Sequence, residues 1–160
     1  GRTGGLYAFQ QYGIQPDVVS TAKGLGGGLP IGATMVSKKL EAVLGPGDQG
    51  STYGGNPVAC AGAVSIMERL DDSLMAEVSA KSAYIFSTLT GAPGIEGVTG
   101  LGLMVGIKTV KNAKDVVNAC IKRGVLCLTA KDKVRLLPAL TIPMEQLKTA
   151  IETIKAVCAE

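Results

Sequence analysis

Behind Asn56-Pro57, the apolar residues Ala59, Ala63, Ile66, Met67 and Leu70 recur at helical spacing. Asn suits the cap and Pro the first turn, which predicts a helix over 57–70. Cys60, Ala61, Gly62 and Ala63 are small, so something should pack closely against its start. Leu74, Val78, Ile85 and Leu89 continue the same period and predict a second helix over 73–89. Beyond residue 94, short aliphatic runs at 95–99, 103–109, 125–129 and 134–137 read as strands. Between and after them lie helical patterns at 113–123, capped by Asn112 and stopped by Gly124, and at 143–159. Pro143 opens the last helix, with Glu145 favourably placed in its first turn.

The first fifty residues read differently. A loop at 1–5 leads to a short helix at 6–12 closed by Gly13. A buried strand at 18–22, a strand at 31–36 and a helix at 38–44 capped by Ser37 follow, then a glycine-rich loop over 45–55. The turn-rich stretch 91–94, containing Pro93, marks a domain junction, giving domains 1–91 and 92–160. Helices alternating with short strands place the chain in the α/β class.

Composition narrows the chemistry. Of 160 residues, 46% are hydrophobic and only 4% aromatic, so the core must be aliphatic. A formal charge of +3, scattered along the chain, implies neither nucleic acid nor a membrane surface. The longest apolar stretch, 57–67, is too short to span a bilayer, and no signal peptide opens the chain, so a cytoplasmic protein is expected. Histidine is absent, which removes Ser-His-Asp and Cys-His catalysis and His-ligated metal. Cys60, Cys120, Cys127 and Cys158 form no CxxC pair and have apolar neighbours, so buried free thiols are expected, with no metal site.

Lys23 stands at the end of the 18–22 strand, immediately before a glycine-rich bend. Gly24, Gly26, Gly27 and Gly28 remove the Cβ atoms that would block a flat ligand. A lysine held there, partly desolvated, would lose proton affinity and become a nucleophile. Gly50-Ser51-Thr52-Tyr53-Gly54-Gly55-Asn56-Pro57 sets two hydroxyls among glycines ahead of a helix start, a composition that can cradle a phosphate. Gly45-Pro46-Gly47-Asp48-Gln49-Gly50 matches a dinucleotide fingerprint literally, but it follows a helical pattern and carries Pro46 in the turn, so it reads as an ordinary loop. Arg135, inside the apolar run Val134-Arg135-Leu136-Leu137-Pro138, offers a planar fork for a carboxylate; an edge-strand arginine pointing to water is the alternative.

Taken together, Gly1-Arg2-Thr3-Gly4, Pro16-Asp17, the run from Ala22-Lys23-Gly24 to Ile31-Gly32-Ala33, Gly50-Ser51-Thr52-Tyr53-Gly54-Gly55-Asn56-Pro57 and Arg135-Leu136-Leu137-Pro138 resemble the class III, ornithine-type aminotransferases. They occur in that family's order and at its spacing, over essentially the whole chain. The resemblance implies a fold-type I transferase that uses pyridoxal 5'-phosphate. Lys23 would bind the cofactor covalently and shuttle the substrate's Cα proton. Thr52, with Ser51 beside it, would bind the cofactor phosphate across a subunit interface, and Arg135 would grip the substrate α-carboxylate. It further implies amino-acid and 2-oxo-acid substrates and a homodimer.

The chain also departs from the family. The acidic residue that supports the cofactor ring lies, in the family, just upstream of the Gly-Arg-Thr-Gly run, and the earlier phosphate loop and stacking aromatic are likewise outside this sequence. Gln49 stands where His is frequent, and Thr99 where Arg is common. The expectation is therefore a C-terminal portion: the end of the large cofactor domain with a small α/β domain, inactive by itself.

Overall fold

The computed structural model describes residues 1–160. They divide into two compact units. One is Phe9–Asp71; the other joins Gly1–Ala8 to Asp72–Glu160.

In the Phe9–Asp71 unit, β1 (Val18–Thr21) and β2 (Ala33–Val36) form an antiparallel two-stranded ribbon, with Val18 opposite Val36 and Thr21 opposite Ala33. A 3-10 turn over Lys23–Gly26 leaves the ribbon, and α1 (Pro57–Glu68) packs on that turn. The Asn56 side chain accepts a hydrogen bond from the Ala59 N–H at 2.9 Å, the cap the sequence predicts. Two expectations fail here. The 18–22 strand is not buried: Val18 is exposed, and all four residues of β2 are exposed, because a lone ribbon has no second layer in its own unit. The helix expected at 38–44 is one 3-10 turn, Lys38–Leu40. Ser37 does not cap it, because its hydroxyl donates to Asp17 Oδ1 at 3.0 Å.

The other unit is a layer of helices on a four-stranded sheet. β3 (Ile95–Leu101), β4 (Met104–Thr109), β5 (Leu128–Ala130) and β6 (Lys133–Leu136) are antiparallel in the order β3-β4-β6-β5. Helices α2 (Asp72–Leu89), α3 (Ala113–Lys122) and α4 (Met144–Ala159) supply the other layer. Strand alternation decides which residues meet them: Val105, Ile107, Val134 and Leu136 point into the core. There they join Val78 and Ile85 of α2, Val116 of α3, and Ile151 and Ile154 of α4. Each fully buried aliphatic side chain of this kind contributes roughly 1.5–3 kcal/mol, so this layer contact fixes the unit. The core is aliphatic, as composition required. The strand expected at 125–129 is only the three residues of β5, because the chain from Gly124 is still closing α3: the Val125 N–H donates to the Cys120 carbonyl at 3.0 Å. All four cysteines are free, three of them buried and Cys60 half-buried. No helix is long and apolar enough to cross a membrane.

Candidate active site

Lys23 is positioned by its backbone. Residue 22 is extended, and Lys23 turns into the left-handed region with φ +57° before the turn closes at Gly27. A non-glycine residue there is uncommon and carries local strain. Packing holds it in place. A Cβ on Gly62 of α1 would stand 2.8 Å from the Gly26 carbonyl, so the helix rests directly on the turn. This is the close approach that the small residues at the start of α1 predict. The side chain itself is exposed and makes no hydrogen bond or ion pair. The partial desolvation expected for Lys23 is therefore not supplied within this unit.

Ser51 and Thr52 lie on the exposed loop before α1. The Gly54 N–H donates to the Ser51 carbonyl at 3.3 Å and the Asn56 N–H to the Tyr53 carbonyl at 3.3 Å, which folds the loop back on itself and leaves both hydroxyls free. The preceding Gly45–Gly50 stretch is closed by a bond from the Gly45 N–H to Asp48 Oδ2 at 2.7 Å, an ordinary loop with no strand before it. Side chains added at Gly24, Gly28, Gly50 or Gly55 would meet nothing within 4 Å. A free amine suits an aldehyde, and two free hydroxyls beside open glycine backbone suit a phosphate, so each set of residues fits its own part of such a group.

Arg135 belongs to the other unit. It is on β6, between β4 and β5, and so is not on an edge strand. Its side chain leaves the sheet on the face opposite the helices, half-buried, with its Nε shut off from solvent and unpartnered. A buried guanidinium donor with no acceptor is costly unless a ligand meets it. On the helix side, burial pushes the Cys127 thiol up to about 12 and Cys158 to about 11, and raises Cys120 as well. These thiols are packing groups, not nucleophiles. No group of three or more His, Cys, Asp or Glu side chains could hold a metal ion.

The model of the Aminotransferase class-III family matches residues 1–158. The chain belongs to the class III aminotransferases. It is 44% identical to acetylornithine aminotransferase from Haemophilus ducreyi over all of its own length and 41% of that protein. Among solved structures, it superposes on ornithine aminotransferase from Toxoplasma gondii ME49 with a TM-score of 0.89 and 32% identity, covering 98% of this chain and 40% of that one. For acetylornithine aminotransferase from Elizabethkingia anophelis the TM-score is 0.86 at 30% identity, covering 98% and 42%. The chain thus spans about two fifths of the length of these relatives. The mixed α/β fold and the family resemblance both hold. The 23–33 and 50–57 runs lie in one unit of this class III chain, and the 135–138 run in the other.

Proposed function

We propose that the parent protein is a transaminase dependent on pyridoxal 5'-phosphate, moving an amino group from N-acetylornithine to 2-oxoglutarate as in arginine biosynthesis. This chain would be its C-terminal portion, with 1–91 closing the large domain and 92–160 forming the small one. When bound, the cofactor supplies an electron sink for breaking the substrate Cα–H bond. Lys23 carries it and takes up or returns that proton at Nζ. Ser51 and Thr52 hold its phosphate, in a cytoplasmic homodimer from the partner's side. Arg135 orients the substrate by gripping its α-carboxylate in bidentate fashion, which keeps the Cα near the lysine amine.

The observation that carries this reading is Lys23 itself: an unpaired amine on a left-handed residue, set by the contact of α1 with a glycine turn. Reduction of the cofactor-loaded parent with borohydride should fix a pyridoxyl group on the peptide containing Lys23, and Lys23→Ala should remove that label. A parent that stays unlabelled ends the proposal. This chain alone, given acetylornithine and 2-oxoglutarate, is expected to form little or no glutamate. A substrate panel on the parent separates acetylornithine from ornithine, succinylornithine and 4-aminobutyrate as donor. A second reading, that this chain is a folding or dimerisation module, draws on the exposed Tyr53, Val58 and Val64 around the start of α1. It predicts a labelled parent but an unlabelled chain that self-associates in sedimentation.

A further inference from the structure

The sheet runs out of ladder beside Arg135. Arg135 is the last residue of β6 paired with β5, opposite Leu128, and Leu136 is the last paired with β4, opposite Val105. Arg135 therefore stands at the open end of its strand, and Leu137 and Pro138 follow it without a strand partner. Carrying the β4–β6 register two places further sets Leu103 opposite Pro138. Pro138 has no N–H, so it cannot donate to close that pair.

Arg2 occupies that place. The Leu103 N–H donates to the Arg2 carbonyl at 2.8 Å, and Arg2 Nη1 donates to the Pro138 carbonyl. One residue thus joins the two positions that the proline leaves unjoined. Its backbone has a firm seat. Gly102 has φ +58°, and a Cβ on it would stand 2.4 Å from the Arg2 carbonyl oxygen and 2.5 Å from Thr3 Cα, so the chain at Arg2 and Thr3 rests directly on the turn between β3 and β4. The guanidinium is half-buried, and burial alone lowers its pKa from the ordinary arginine value. With no acid beside it, the charge-assisted bond to the Pro138 carbonyl is what offsets that burial. Two residues further on, the buried Lys81 of α2 donates to the Leu140 carbonyl at 2.8 Å while paired with Glu77 at 2.9 Å. Of these two ties, Arg2 is the one nearer Arg135 along the chain.

We propose that Arg2 is a positioning residue for Arg135: by bridging Leu103 to Pro138 it fixes the open end of β6, and with it the place of the Arg135 guanidinium. The proposal rests on the reading of Arg135 as the carboxylate grip. Arg2 touches no substrate in this scheme and acts only through the strand end it holds. A shift of about 1 Å in a group that orients a substrate can cost about a hundredfold, so a tie three residues away is enough to matter.

The test measures kcat and KM for 2-oxoglutarate with the cofactor-loaded parent. Arg2→Gln should raise KM about fivefold or more and change kcat less than about threefold, because the bond it removes supports binding rather than the chemical step. Arg2→Lys keeps a cation but ends about one bond short of Nη1, and should raise KM about twofold or more. It carries the test if Arg2→Gln does not fold. Adding Arg2→Gln to Arg135→Gln should raise KM less than about twofold further, since the one residue acts through the other. Asn112→Ala, which weakens the start of α3 in the same unit, should leave KM unchanged. An unchanged KM in a folded Arg2 variant, a fall in kcat without a rise in KM, a full further rise in the double variant, or an equal rise in Asn112→Ala overturns the proposal. If Arg135→Gln raises KM and Arg2→Gln does not, the proposal falls alone. If Arg135→Gln itself leaves KM unchanged, the carboxylate grip falls and takes the proposal with it.

Discussion

Gly94 has φ +75°, and a Cβ built there would overlap the Cys158 carbonyl near the end of α4. Gly94→Ala therefore combines a conformation that L side chains avoid with a backbone clash, and a loss of at least about 2 kcal/mol is expected by urea denaturation. Glycine at this point lets β3 begin against α4. The same scale governs the thiols. Cys120 and Cys127 hydrogen-bond each other; burial raises both thiols, against that contact at Cys120 and together with it at Cys127. In the native protein, Ellman's reagent should titrate Cys60 rapidly and the other three only after unfolding.

At the level of helices and strands, Asn112 Oδ1 accepts from the Lys114 N–H at 2.9 Å and anchors α3. Asn112→Ala should lower stability by about 1 kcal/mol, seen as a fall in Tm, with the sheet intact. Such caps explain why the helices were legible: Asn56-Pro57, Asn112 and Pro143 are local signals, and the aliphatic periods behind them are long. The ribbon strands were legible as strands but not in their exposure, since an apolar run says nothing about whether a second layer exists. Arg135 was legible as a chemical group, yet its interior place depends on the order β3-β4-β6-β5, which no local stretch encodes.

For the folded unit as a whole, the buried thiols link stability to alkaline pH. Cys127 at about 12 and Cys158 at about 11 keep their protons in the fold long after the unfolded chain, near pH 8.5, has begun to lose them. The native state then binds more protons, so stability falls as pH rises above about 9 and continues to fall towards 11. Denaturation midpoints measured across that range should decline, and Cys127→Ala should flatten the decline relative to its own value at pH 7.

The unit built on the sheet is discontinuous in sequence. Arg2 donates from Nη1 to the Pro138 carbonyl, 136 residues away, and its own carbonyl accepts from the Leu103 N–H at 2.8 Å. Those bonds close very large loops, whose entropy must be met before the contacts are made. The Gly1–Ala8 segment is thus a late-docking clasp: its amides should lose protection first in native-state hydrogen exchange, while β4 and β6 still hold.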